Sequence, residues 1–247
     1  MSSYNQCFAQ LYDRLTDNVA YKSGSDFISG FFSDNGTEQG TILDLGCGTC
    51  SVSMHLAEKG YRIIGIDSSA EMLQIASQKL VGVGCDFSLI NAKMQDFSLT
   101  EQVDGAISTL DSINHLNRAD DVQNVFYSVY NCLKKNGLFI FDVNTVYKHN
   151  YVLANNTFVF DEKDFFLSWD NELLEENKVR ILLDFFIYNG QSYDRYSEEF
   201  CETAYSIDEL TKMLNTVGFN DLQIYSDFHK SPPTDDSERL FFICKKE

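Results

Sequence analysis

Two carboxylates and two glycines in this chain are spaced to hold a nucleoside. Asp44, Gly46 and Gly48 close a short apolar run over 41–45, and Asp67 closes a second over 61–66. Such runs suit buried parallel strands. Glycine lets the backbone turn sharply and lets a ligand come close. Residues 51–59 read as a helix stopped by Gly60, so a strand, a turn and a helix leave free backbone N–H groups around one crevice. Asp67 falls about 20 residues beyond the glycines, where an acid accepts hydrogen bonds from a ribose diol. Any adenosine-containing ligand fits this far.

Two details narrow the choice. The pattern is Gly46-x-Gly48-x-x-Ser51, so the third glycine of the dinucleotide fingerprint, which permits close helix packing beside a pyrophosphate, is missing. No catalytic Tyr/Lys or His set of a nicotinamide oxidoreductase is evident, which makes that class the weaker alternative. Asp44 at the mouth of the turn would repel a pyrophosphate but suits a ligand carrying an ammonium and a sulfonium. The stretch Asp44-Leu45-Gly46-Cys47-Gly48-Thr49-Cys50 resembles motif I of the class I S-adenosylmethionine-dependent methyltransferases, usually D-L-G-C-G-T-G, with Cys50 in place of the last glycine. The resemblance extends over nearly the whole chain. It implies S-adenosyl-L-methionine as cofactor and S-adenosyl-L-homocysteine as product.

Along that resemblance, Asp44, Gly46, Cys47 and Gly48 are expected at the methionyl part and Asp67 with Ser68 at the ribose. Related enzymes often carry D-M-x-x-F at 93–97, with the acid on the adenine amino group. Here Lys93 takes that place, followed by Met94 and Gln95, unless Asp96 serves instead. Met72 and Leu110 complete the implied cofactor set. Tyr4, Tyr12 and Tyr21 resemble the N-terminal cap of small-molecule methyltransferases, whose tyrosines help close the cofactor pocket.

The acceptor side is expected after the fourth strand. Residues 103–109 read as that strand and run into Leu110-Asp111-Ser112-Ile113-Asn114-His115-Leu116. At the carboxyl ends of a parallel sheet this loop faces the methyl donor. It resembles the G-N-S-F-A-H-L loop of glycine N-methyltransferase-like enzymes, with Asp111 in the asparagine place. Asp111, near an acceptor amine, and His115, orienting the loop or handling a proton, are the catalytic candidates. As ordinary residues they would be a turn acid and a structural histidine.

The elements that must position these residues follow from periodicity. Helices are expected over 4–18, 25–33, 69–81 and 120–134, the last closed by Lys134-Lys135-Asn136-Gly137, with strands over 85–90 and 138–143. Alternating strands and helices mark a doubly wound parallel sheet. Aromatic, β-rich segments over 157–205 then read as an inserted antiparallel sheet, a lid over the site or a dimerisation surface. Arg180 and Arg195 in it are either carboxylate binders or surface ion pairs. Ser206 caps a helix that ends at Gly218, and 221–228 and 239–245 are the last strands, paired as a hairpin in the family resembled. The expected fold is therefore α/β: a Rossmann-like doubly wound seven-stranded sheet with an antiparallel C-terminal strand and an inserted antiparallel β lid. The expected division is 1–147 with 206–247 as the methyltransferase domain and its helical cap, and 148–205 as the lid.

Composition bounds the partners. Net charge is −18 over 247 residues, which disfavours nucleic-acid substrates; no N-P-P-Y-type motif for base methylation appears either. Seven scattered cysteines form no disulfide framework, and Cys47-x-x-Cys50 lacks a second pair for a metal site, so no metal is expected. Without a signal-peptide core or a membrane-length apolar run, the expected setting is cytoplasmic. The reading is a methyltransferase acting on an N or O nucleophile of a small molecule, with a homodimer through the lid as one arrangement. The departures at Cys50 and Lys93 leave a cofactor-binding protein without catalysis as the alternative.

Overall fold

The computed structural model describes residues 6–175 and 177–247, with only the backbone of residues 6 and 7; Tyr4 lies outside the described residues. In chain order the elements are α1 (Gln6–Leu15), α2 (Tyr21–Asp34), β1 (Thr41–Leu45), α3 (Ser51–Glu58), β2 (Arg62–Asp67), α4 (Ala70–Val83), β3 (Phe87–Asn91), β4 (Val103–Ser108), α5 (Ala119–Cys132) and β5 (Leu133–Asn144). Then come β6 (Thr157–Asp161), β7 (Phe165–Glu175), β8 (Lys178–Tyr188), β9 (Tyr193–Thr203), α6 (Ile207–Val217), β10 (Phe219–Ser226) and β11 (Arg239–Lys246).

Seven strands form one sheet in the order β10-β11-β5-β4-β1-β2-β3. The five from β1 to β5 run parallel, while β11 is antiparallel to both β5 and β10. Alternate side chains leave opposite faces of a strand. Ile42 of β1 therefore packs with Ile28, Phe32, Leu56 and Leu80 of α2, α3 and α4. Its neighbours Leu43 and Leu45 share the opposite face with Val125, Phe126, Leu210 and Leu214 of α5 and α6. The caps follow the expected chemistry: Ser69 accepts from the Met72 N–H (3.2 Å), and Ser206 and Glu209 form a reciprocal capping box.

Several boundaries differ from expectation: α1 ends at Leu15 instead of 18, α2 begins at Tyr21 instead of 25, and α5 stops early. The helix over 120–134 ends at Cys132, and Gly137 is not its stop. Leu133 is fully buried and already pairs with Val103 of β4, which draws the chain into the sheet early. The residues Lys134–Asn136 then bulge to solvent before regular pairing resumes at Leu138. Gly137 is there because a Cβ would come within 3.0 Å of the Asp104 and Lys134 carbonyls.

The insertion between β5 and α6 is a separate antiparallel sheet, β6-β7-β8-β9. Its inner face carries Val179, Ile181, Leu183 and Phe185 of β8, packed against Phe8, Ala9 and Leu11 of α1 and Met72 of α4. Phe8 meets Phe185 edge-on with ring centroids 5.9 Å apart. The far end is moored to the main sheet: Asn114 donates to the Thr203 carbonyl (3.1 Å), and Asn117 to that of Cys201 (3.0 Å). The lid thus overhangs the carboxyl ends of the parallel strands. Strand order reverses there between β1 and β4, which opens the crevice used for ligands in such sheets.

Candidate active site

The turn after β1 is bent by Gly46 (φ 65°) and Gly48 (φ 51°). Its first two N–H groups are tied to the end of β2, Gly46 and Cys47 both donating to the Ile66 carbonyl. A Cβ on Gly46 would fall 2.7 Å from Ser112, so the glycine lets the two loops meet. A Cβ on Gly48 would meet nothing within 4 Å and would project into open space. Cys50 takes the left-handed conformation that favours glycine (φ 58°), and its thiol is buried with that of Cys47 over Gly65. The two thiols pack together against β2.

Two cavities of similar size meet above this turn. The first, about 280 Å³, is lined by Tyr12, Gly46, Gly48, Asp67, Ser68, Met72, Lys93, Met94, Gln95, Leu110 and His115, together with Ser112. A small annex of about 30 Å³ joins it at Tyr12, Gly46 and Gly48 and adds Asp44 and Cys47. Of the residues expected at the cofactor, only Tyr21 lines neither; its hydroxyl donates to Thr16 (2.5 Å) behind the wall. Asp96 is not among the lining residues either, and its N–H closes a turn onto the Lys93 carbonyl.

The two carboxylates of this cavity are prepared differently. Asp67 receives the Gly48 N–H (2.9 Å) and the Ser69 N–H (2.8 Å), one on each oxygen. Burial pushes its pKa up, against these bonds. Asp44 is 2% exposed, and Ser53 donates to one oxygen (2.5 Å). The other, Oδ1, has no partner among the described residues. Burial, with the Asp67 charge adding to it, pushes the Asp44 carboxyl up to about 7.

The second cavity, about 290 Å³, lies beneath the lid and shares Tyr12, Leu110 and His115 with the first. Its walls are apolar, with Phe8, Leu15, Phe160, Leu167, Trp169, Ile181, Leu183 and Phe200. Its floor is charged, with Asp111, Lys148, Glu202 and Arg239 beside His115 and Asn144. The loop that separates the cavities is strained: Leu110 (φ 57°) and Asp111 (φ 54°) are consecutive left-handed residues, costing on the order of 1–3 kcal/mol each. Asp142, buried in β5, holds them by accepting the Leu110 N–H (2.7 Å) and the Asp111 N–H (3.1 Å). Arg239 joins the same knot, donating to Asp142 and to Asp111 (2.6 Å). Burial alone would raise the Asp111 carboxyl, but the charges of Arg239 and Lys148 hold it below its usual range.

Both catalytic candidates thus reach the floor, and His115 stands at the junction. Burial depresses the His115 pKa, so its ring is neutral at pH 7. Its Nε2 lies 3.6 Å from Glu202, and Asp111, His115 and Glu202 offer ligand atoms within 4.8 Å of one another. Arg180 and Arg195 stay on the outer part of the lid, paired with Glu172 and Glu199, and with Asp184. The cations of the floor are instead Arg239 and Lys148, which sequence reasoning missed, together with Glu202 and with Asp142 behind Arg239. A signal existed in Asp142, a carboxylate inside the apolar run 138–143, since a charge in a buried strand requires a partner.

A doubly wound sheet with a glycine turn at its switch point, an acid at the end of β2 and an antiparallel β11 defines the class I methyltransferase architecture. A family model described as a methyltransferase domain matches residues 42–137. The protein YqeM of Bacillus subtilis, named as a methyltransferase, is 34% identical over 98% of this chain and 96% of its own length. The crystal structure of an S-adenosylmethionine-dependent methyltransferase from Clostridium acetobutylicum, 32% identical, matches with a TM-score of 0.89 over 97% of each chain. The glycine/sarcosine N-methyltransferase of Aphanothece halophytica is 25% identical over 100% of this chain and 91% of its own. This chain belongs to the S-adenosylmethionine-dependent methyltransferases, and S-adenosylmethionine is its cofactor.

Proposed function

We propose that the protein transfers the methyl group to a small molecule bound beneath the lid. One observation carries this reading: two cavities of similar size, one at the glycine turn and one under the lid, share a wall of Tyr12, Leu110 and His115. A methyl group crossing that wall passes from cofactor to acceptor without entering water.

The residues present fit the cofactor. Asp44 Oδ1 is a buried acceptor without a partner, suited to the amino group of the methionyl part. Gly48 leaves the space that a Cβ would fill. Asp67 uses one lone pair of each oxygen on backbone, and a carboxylate has others for ribose hydroxyls. Lys93, Met94 and Gln95 form the adenine end with no acid among them. When bound, the cofactor supplies a methyl carbon made electrophilic by a sulfonium. The chain's own work is alignment and exclusion of water. Tyr12 and His115 flank the transfer path, Asp111 fixes Arg239 at the acceptor floor, and α1 with the lid covers both cavities.

Calorimetric titration with S-adenosylhomocysteine, with NAD in parallel, tests the cofactor half. Micromolar affinity for the first and none for the second is expected. The Asp44 carboxyl must ionise to receive an ammonium, so affinity should rise with pH up to about 7 and then level, and D44N should abolish the rise. Binding of NAD, or of neither compound, would reject the reading.

A further inference from the structure

We propose that Glu202 takes the proton from the acceptor, and that the acceptor is an amine on an apolar body, admitted as its ammonium. The inference rests on the methyltransferase reading above and names the substrate class of the second cavity.

The strand that carries Glu202 is exposed or half-buried along β9 except at this one residue, which is 4% exposed. A carboxylate buried alone in such a strand is costly unless the site uses it. Its neighbours are fixed: Asn114 and Asn117 hold the carbonyls of Thr203 and Cys201 on either side of it. Glu202 lines the cavity beside Asn144.

The charged groups around Glu202 come from several elements. Asp111 from the loop after β4 is negative, and Lys148 from the turn after β5 and Arg239 from β11 are positive; Asp142 of β5, behind the floor, is the ion-pair partner of Arg239 and adds a second negative charge. These four sum to zero. His115 and His149, whose Nε2 atoms lie 3.6 and 3.8 Å from the Glu202 oxygens, are both held neutral by burial. Tyr12 from α1 adds a neutral hydroxyl. An ionised Glu202 is then the one uncompensated charge of the floor, and burial with the Asp111 charge pushes its carboxyl up to about 8. A single cation in the cavity balances it. An alcohol leaves it unbalanced, and a carboxylate adds to it. A divalent metal at Asp111, His115 and Glu202 would face the guanidinium already bound to Asp111 and the Lys148 ammonium. The walls of Phe160, Leu167, Trp169, Ile181 and Phe200 set the rest of the acceptor as apolar.

The step balances. The ammonium N–H bond breaks and its proton passes to the Glu202 carboxylate, leaving a lone pair on nitrogen. That pair forms the new N–C bond as the C–S bond breaks and its electrons stay on sulfur, so the sulfonium becomes a thioether and the product nitrogen carries the positive charge. His149 Nδ1 is hydrogen-bonded to the Asn177 carbonyl (3.0 Å), and its Nε2, which has no hydrogen-bond partner among the described residues, faces Glu202 as a proton acceptor.

The test uses the full chain with radiolabelled S-adenosylmethionine and matched compounds: phenethylamine, phenethyl alcohol and phenylacetate, and tryptamine, tryptophol and indoleacetate. Label is expected in the amines alone. For them kcat/KM should rise about tenfold per pH unit and flatten near pH 8. E202Q should lower kcat by on the order of 100-fold or more and remove the rise, and E202D should restore part of both. S-adenosylhomocysteine affinity within about twofold of wild type shows that the variant is folded. Preferential labelling of the alcohols or acids overturns the proposal, as does amine turnover by E202Q with an unchanged pH profile. Normal S-adenosylhomocysteine binding with no amine labelled also overturns it. Turnover lost to EDTA and restored by manganese would reassign the cluster to a metal. Failure of wild type to bind S-adenosylhomocysteine would instead reject the underlying methyltransferase reading.

Discussion

The two cavities are assembled in opposite ways. The cofactor side is organised around one short turn, Asp44 to Gly48, laid across the end of the next strand, whose N–H groups are tied to the Ile66 carbonyl and the Asp67 carboxylate. The acceptor side is built from side-chain charges at 111, 148, 202 and 239, backed by Asp142, and its central pair, Asp111 and Arg239, is separated by 128 residues. A backbone cradle depends on local geometry and little else. A charged floor depends on the whole molecule being folded, and each member is costly if its partner is removed. The first side suits one constant ligand, and the second can be changed one residue at a time.

Substitutions that strike one side only would sharpen this contrast. The largest effect is expected at Arg239. Arg239→Met leaves Asp111 and Asp142 buried without their cation, so urea unfolding should show a loss of about 3–5 kcal/mol, while S-adenosylhomocysteine affinity in the folded fraction falls less than about tenfold. A comparable loss of cofactor affinity would mean that the two sides are one. Next comes Asp67→Ala on the other side. It removes the proposed ribose acceptor and the tie between Gly48 and Ser69, and affinity should drop about 100-fold, near 2.7 kcal/mol, with turnover at saturating cofactor less affected.

Glu202 gives a pH signature of stability. Its folded pKa is raised to about 8, so its favourable contribution is complete below the ordinary carboxylate range and is lost as pH rises towards that value. Without ligand, the melting temperature of wild type should fall relative to E202Q between about pH 5 and 8. Parallel curves would remove Glu202 from the account. The smallest effect is expected at Cys50→Gly. Relief of a left-handed residue, about 1 kcal/mol, offsets the lost burial of a thiol, so stability should move by less than about 1 kcal/mol and cofactor affinity not at all.

The same contrast governs what could be read from the sequence. The fold was legible because strand and helix periods alternate cleanly from 41 to 143 and then switch to a period of two in the lid. The residues that line the first cavity were legible because their spacing along the chain is their spacing around it: Asp44, Gly46, Gly48, Asp67 and the 93–95 segment all reach that cavity or its annex. Asp111 and His115 were legible as lining residues of the second because their loop follows a strand end. Arg239 and Glu202 were not, since each sits near the end of a strand of ordinary appearance and gains its meaning from residues far away in sequence. Arg180 and Arg195 attracted notice as cations in an acidic region, yet their partners lie on neighbouring strands, Glu172 directly opposite Arg180 and Glu199 and Asp184 on diagonals, which is a surface arrangement. Gly137 misled as a helix stop because its role is close approach to the Asp104 carbonyl, a contact that local sequence does not encode.

The central claim is that the two cavities meet at one reacting point. The most direct test is a crystal structure of the protein with sinefungin, which carries an amine where the cofactor has its methyl group. The account predicts the amino-acid end at Asp44 Oδ1, the ribose on Asp67, and the added amine at the wall of Tyr12, Leu110 and His115, pointing beneath the lid. A ligand bound at the glycine turn with that amine directed to solvent, or walled off from the second cavity, would contradict it.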